Sequence, residues 1–217
     1  MASTIQVDKI QDTGGNTILS SNSTGTFTYE AASGANFTAL DADNVSAGTL
    51  AAARGGTGTT SYSPGITQCS SWRLSTNFTG TTDPIVNNWE EDDTQYSRIG
   101  SAMSNSSGNW TYPVTGIWKV EFSLSFYLNN DNSYDNQIYI YGTTDDSNYD
   151  ILCRSKTAIW SGGNSFSNVY GSCIQDITST TNCKTRFGAT MSNSATAAYG
   201  NTGYNRTWVI FTRLGDT

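Results

Sequence analysis

No histidine occurs among the 217 residues of this chain. That excludes Ser-His and Cys-His activation of a nucleophile and removes the usual ligands of a catalytic zinc. Charge is scarce as well. Charged residues make up 13% of the chain, and 11 Lys and Arg against 18 Asp and Glu leave a net charge of −7. The few basic residues are scattered and form no stripe, so nucleic acid is not expected as a partner. No apolar run approaches the ~20 residues that cross a bilayer, and no membrane insertion is expected. The start, MASTIQVDKI, has no apolar core of a secretory signal. That points to synthesis in a cytoplasm, where thiols stay reduced. No long amphipathic helical pattern is found either.

Ser, Thr, Asn and Gly fill the space that charge leaves, with an aromatic share of 12%. This mix suits short strands, many turns and a polar uncharged surface. The four cysteines, Cys69, Cys153, Cys173 and Cys183, include no C-x-x-C pair. Buried thiols are expected, with a Cys153–Cys173 disulfide as the alternative. Asn-x-Ser/Thr sequons recur in so Asn- and Thr-rich a chain by chance and predict no glycosylation here.

Two zones differ in pattern. Residues 1–60 carry no Trp, Cys or Pro. Ile5, Val7 and Ile10, a Gly14-Gly15-Asn16 turn, and Ile18-Leu19 predict a short hairpin, and Phe27 and Tyr29 a further strand. Apolar residues this sparse cannot build a core alone, so this zone is expected to pack against other chains. From residue 66 the strand signal is dense. KVEFSLSFYL at 119–128 alternates, with Val120, Phe122, Leu124, Phe126 and Leu128 on one face and Lys119, Glu121, Ser123, Ser125 and Tyr127 on the other. QIYIY at 137–141, then 148–153, 169–177, 184–191 and 207–214, read as further strands separated by polar turns. The last, Trp208-Val-Ile-Phe211, is apolar on both faces. One face suits the sandwich, and the other, with Trp208 and Ile210, suits a second subunit.

Gly108 to Val120, GNWTYPVTGIWKV, resembles the globular-head family of the complement first component, which shares the tumour-necrosis-factor-like jelly roll. Gly108, Tyr112, Pro113, Gly116, Ile117, Trp118 and Val120 occupy comparable places. Pro113 breaks strand pairing and Gly116 supplies a turn. The chain departs from that family at 181–183, where Thr-Asn-Cys replaces the usual Gly-Asp turn. The resemblance covers residues 66–217 and implies a trimer. At the front, STIQVDKIQDTGGNTIL and DNVSAGTLAAARGGTGTTSY resemble attachment and joint segments of bacteriophage fibre and spike proteins, in which a GTL-x-x-ARGGTG block precedes a terminal knob.

The glycine-rich block itself, with Arg54, Gly55, Gly56 and Gly58, lacks the Lys and the flanking strand and helix of a phosphate loop. It is expected to be a joint where chains converge, with Arg54 reaching Asp41 or Asp43 of a neighbour. The acidic run Glu90-Glu-Asp-Asp93 is expected to be a solvated loop, since adjacent loop residues do not give the carboxylate spacing of a glycosidase. No cofactor is expected. Calcium, through Glu91, Asp92 and Asp93 or through Asp145 and Asp146, is the alternative. Tyr134, Tyr149, Trp160, Tyr199 and Tyr204 lie in or beside polar loops and are the candidate ligand surface.

The expected protein is all-β, with a short β-rich anchor and shaft at 1–60 and a homotrimeric jelly-roll knob at 66–217. Its expected role is that of a non-enzymatic virion protein, assembled in host cytoplasm. It would be a tail or head fibre, a spike or a capsid-decorating protein. Its partners would be other virion proteins through residues 1–60 and a glycan or protein of the host surface. A secreted lectin-like adhesion module and a fibre-borne polysaccharide depolymerase are the alternatives.

Overall fold

A computed structural model describes residues 8–21, 27–29, 65–94 and 96–217. Arg54, Gly55, Gly56 and Gly58 lie outside these residues, as do Ile5, Val7, Asp41 and Asp43. The chain divides into two units, Met1–Tyr62 and Ser63–Thr217.

In the first unit, Lys9–Gln11 (β1), Thr17–Ser21 (β2) and Phe27–Tyr29 (β3) form an antiparallel sheet in the order β1-β2-β3. The β1–β2 turn is fixed by one carboxylate. Asp12 Oδ1 accepts from the backbone N–H groups of Gly14 and Asn16, each at 2.8 Å, and Oδ2 accepts from the Asn16 side chain at 2.9 Å. Asn16, first through its side chain and then its backbone, lowers the Asp12 pKa.

The second unit holds Cys69–Leu74 (β4), Phe78–Thr79 (β5), Trp89–Glu91 (β6), Ser104–Ser106 (β7), Asn109–Thr111 (β8) and Gly116–Asn129 (β9). Ser133–Thr143 (β10), Asp150–Ile159 (β11), Asn164–Ile177 (β12), Lys184–Met191 (β13), Ala197–Ala198 (β14) and Trp208–Gly215 (β15) follow. Among the described residues there is no helix. Two sheets face each other. One has the order β11-β10-β13-β8-β7. In the other, β9 pairs with β12 along one edge, and its opposite edge is shared by β15 and β14. β4 and β6 continue beyond β15, and β5 lies beyond β14. This is a jelly-roll sandwich.

The alternation at 119–128 explains why β9 is central. Val120, Phe122, Leu124, Phe126 and Leu128 are all buried. They meet inward side chains of the facing sheet, Ile138 and Ile140 of β10 and Phe187 of β13. Trp110 of β8 is at the centre, with Trp72 at 5.1 Å, Phe211 at 5.2 Å, Trp89 at 5.7 Å and Phe187 at 6.0 Å between ring centroids. Aromatic contacts of this kind add roughly 0.5–1.5 kcal/mol each beyond the burial of ring area.

The motif at 108–120 supplies part of that core. Tyr112 and Trp118 are buried with centroids 5.1 Å apart. The Tyr112 hydroxyl donates to Gln175 Oε1 at 2.7 Å and lies 2.6 Å from Thr185 Oγ1. Gly116 has φ +139°, and a Cβ there would lie 2.5 Å from Arg213 Nε and from the Gly215 carbonyl. Glycine is therefore required where β9 starts against β15.

The observed strands are longer than their sequence signals at 137–141, 148–153 and 169–177, because polar strand ends pair without an apolar beat. β4, CSSWRL, carries no clean alternation and is not predicted as a strand from its sequence. It is held by β15 on one side and β6 on the other.

Candidate functional site

The outward face of the β9 sheet is built by register. Arg73 pairs with Trp208, Trp208 with Ser123, and Ser123 with Tyr170, making one row across β4, β15, β9 and β12. The next row is Ser71, Ile210, Glu121 and Ser172, and the one after it Cys69, Thr212, Lys119 and Ile174. Val209 and Phe211 point the other way and are fully buried. Trp208 and Ile210 thus lie outward, partly covered, with the Trp208 ring 6.3 Å from that of Tyr170. Phe166, Tyr170 and Ile174 of β12 are exposed beside them, Ile174 to 66%. Further along, Tyr127 stacks on Tyr199 at 4.8 Å and touches Phe166 at 4.9 Å. Polar residues lie between these apolar side chains, Ser123, Ser172, Thr212 and a charged group at Glu121 among them. Glu121 Oε1 accepts from Lys119 Nζ at 2.8 Å and from Tyr170 Oη at 2.6 Å.

The acidic run beside this face is not a solvated loop, which corrects the expectation from its composition. Arg73 points outward from β4 yet is only 2% exposed. Its guanidinium meets Glu90 Oε1 at 2.7 Å, Asp92 Oδ1 at 3.5 Å and the Asp93 carboxylate. Asp92, 7% exposed, also accepts from the Ser71 hydroxyl, and from Asn205 at 2.9 Å. Glu91 pairs with Arg98 at 2.6 Å. Burial opposes the charge on Arg73, but the hydrogen bonds to Glu90 and Asp93 outweigh it and raise its pKa. The bond to Arg73 lowers that of Asp93. Sequence reasoning passed over Arg73. Its partners stand 17 and 20 residues away, and only the β4–β6 pairing joins them.

The carboxylates of this run are thus engaged by protein donors. Asp145 is similarly occupied, accepting from the backbone N–H groups of Ser147 and Asn148, the Asn148 side chain and the Thr143 hydroxyl. The Asn148 bonds are the main cause of its strongly lowered pKa. It lines a recess of about 410 Å³ with Asp150, Leu152, Ile174 and Asp176. Among the described residues no group of three or more Asp, Glu or Cys side chains could hold a metal ion. Cys69, Cys153, Cys173 and Cys183 are free thiols, so the Cys153–Cys173 bridge is not formed. Burial, first, and the neighbouring Cys153 push the Cys173 thiol up to about 12.

The five loop aromatics do not form one surface. Tyr134 and Trp160 make an exposed edge-to-face pair at 4.9 Å, Trp160 being 68% exposed. Tyr199 and Tyr204 flank Arg206, whose guanidinium carbon is 5.1 and 5.4 Å from their rings. Tyr149 stands apart, on the outward side of the β10 sheet. There the Arg186 guanidinium carbon lies 3.6 Å above its ring, a strong cation–π geometry. Asn109 Oδ1 braces both, accepting from Arg186 Nε and from Tyr149 Oη. Arg186 is directly opposite Tyr141 on β10, which stacks on Tyr139 at 5.6 Å and donates to Asp83 Oδ2 at 2.6 Å. Gly188 leaves room for Asp83, since a Cβ there would meet the Asp83 carboxylate oxygen at 2.2 Å. Asp83, Pro84, Tyr141, Tyr149 and Arg186 enclose a depression of about 190 Å³.

The sandwich is similar to the solved structures of murine APRIL and of Eiger TNF from S. frugiperda. The first has a TM-score of 0.51 at 10% identity, over 68% of this chain and 98% of that one. The second has a TM-score of 0.53 at 11% identity, over 70% of this chain and 96% of that one. The fold is a tumour-necrosis-factor-like jelly roll. No protein-family model matches the chain, and no curated protein matches it by sequence.

Proposed function

We propose that this protein is a homotrimeric binding knob carried on a virion, as a short fibre, spike or capsid-decorating protein, and that it binds rather than catalyses. The observation that carries the reading is the outward face of the β9 sheet. Phe166, Tyr170 and Ile174 are exposed and Trp208 and Ile210 partly covered, so these apolar side chains lie together on one face without full cover from their own chain. Patches of this kind on soluble proteins mark association surfaces. A second and third copy of the chain are the occupants that suit it, since the tumour-necrosis-factor-like jelly roll it resembles is characteristically trimeric. Residues 1–60 serve as anchor and shaft in this reading, supported by the GTL-x-x-ARGGTG block that resembles fibre joints. Their partners are other virion proteins, and the knob's are molecules of the host surface.

Light scattering on the full chain tests the assembly. The expected mass is near three chains, and a stable monomer at micromolar concentration overturns it. Removing residues 1–48 is expected to leave a folded knob that no longer enters particles. Unchanged incorporation of that variant sinks the anchor assignment.

A further inference from the structure

The depression on the β10 sheet holds two opposite charges that do not neutralise each other. Among the described residues Arg186 has no carboxylate within 4.0 Å, and only its Nε donates a hydrogen bond. Among these residues its two terminal nitrogens have no acceptor. Tyr149 beneath the guanidinium plane and Asn109 at Nε hold the fork in place. Arginine so fixed is pre-organised for a bidentate carboxylate. Asp83, exposed at the opposite wall and oriented by the Tyr141 hydroxyl, is an acceptor for hydroxyl donors. The rings of Tyr141 and Tyr149 and the flat side of Pro84 provide apolar walls between them.

We propose that this depression binds a single acidic sugar, a pyranose bearing a carboxylate, with the carboxylate on Arg186 and ring hydroxyls on Asp83. The occupant must carry an anion for one wall, several hydroxyls for the other and an apolar ring face for the tyrosines. A peptide terminus has the anion without the hydroxyls, and a neutral sugar has the hydroxyls without the anion. At about 190 Å³ the space is smaller than the ~300–1,000 Å³ clefts that enclose drug-sized ligands. It suits one ring at the end of a glycan. The site is on the sheet opposite the one that carries Trp208 and Ile210, so assembly through that face leaves it open. The assignment rests on the reading of the knob as a binding module.

The test is saturation-transfer NMR on the full-length protein with three probes: methyl glucuronoside, methyl glucoside and a short peptide with a free terminal carboxylate. The glucuronoside is expected to bind at least ~tenfold more tightly than either competitor, as a good bidentate charge-assisted contact warrants. Arg186→Gln is expected to remove that preference and Arg186→Lys to restore part of it. Arg98→Gln, which removes a positive charge from the pair with Glu91, leaves it unchanged. Thermal unfolding of each variant separates loss of the site from loss of the fold. Equal binding of glucoside and glucuronoside, preference for the peptide, no glucuronoside signal, or an Arg186→Gln variant that binds as before would each overturn the proposal. A trimer without glucuronoside binding sinks this assignment alone, whereas a monomer that binds it sinks the assembly reading alone.

Discussion

The two outward faces of the sandwich come from the same two-residue alternation and are finished in opposite ways. On the β10 sheet, apart from an exposed Ile151 beside Tyr141, the outward positions include Gln137, Tyr139 and Tyr141 of β10, Lys184 and Arg186 of β13, and Arg154 and Lys156 of β11. These are long amphipathic side chains whose stems or rings cover the sheet and whose polar ends meet water. On the β9 sheet, β12 and β15 present Phe166, Tyr170, Ile174, Trp208 and Ile210. The first face is complete in one chain. The second is complete only where the chain covers it itself, at the β4 edge, where the 90–93 segment folds over Arg73. An apolar outward face and an arginine buried by its own loop are thus neighbours on one sheet. In the proposed reading, the difference separates a surface that meets solvent and ligand from one that meets other copies of the chain.

The largest expected effect comes from making the β9 face resemble the β10 face. Ile174→Lys together with Ile210→Lys puts two charges where three copies would converge, and a desolvated unpaired charge costs several kcal/mol. Sedimentation is expected to fall from a mass near three chains to one, with the circular dichroism of a β-sandwich retained. Tyr139→Lys, the matching change on the other sheet, leaves the mass unaltered. If both variants behave alike, the contrast between the faces has no functional meaning.

Next in size is the self-covered edge. Arg73→Met leaves Asp92 buried without its cation, although Glu90 and the exposed Asp93 can turn to water. Breaking a buried pair on one side costs about 3–5 kcal/mol, and the partial exposure of two partners places this change near the lower figure. Denaturant unfolding measures it. A loss under about 1 kcal/mol would show that the carboxylates are merely surface partners.

How much of this was legible in the sequence differs between the faces for a physical reason. KVEFSLSFYL declares its strand, its inward side and its outward side, because a period of two is local information. Trp208 and Ile210 could be read as outward for the same reason. Arg73 could not. CSSWRL has no apolar alternation, and nothing within a few residues shows that three acids of one run will close over one arginine. Tyr149 was legible as a loop aromatic but not as the floor under Arg186, which is 37 positions away and is brought there by the β10–β13 register. The other four aromatics belong to the same lesson. Composition identifies them as a class, and topology distributes them over separate places.

The smallest expected effect is the response to pH, and it sharpens the comparison because the two faces differ in what titrates. With no histidine in the chain, neither face carries a side chain whose ordinary pKa lies between about 5 and 7. Assembly and stability are expected to be flat across that window. Below it the β9 face changes through Glu121. Burial raises the Glu121 pKa, but the hydrogen bonds from Lys119 and Tyr170 outweigh burial and leave it below the ordinary 4.5. A lowered carboxylate pKa stabilises the folded state fully above the unfolded value. That contribution is lost as pH falls below about 4.5 and through the folded pKa. Unfolding midpoints are therefore expected to hold from pH 7 to 5 and decline below 4.5. Glu121→Gln is expected to remove part of that decline, whereas Arg186→Gln on the other face removes none. A midpoint that already drifts between pH 7 and 5 contradicts the assignment, since no side chain on either face titrates there.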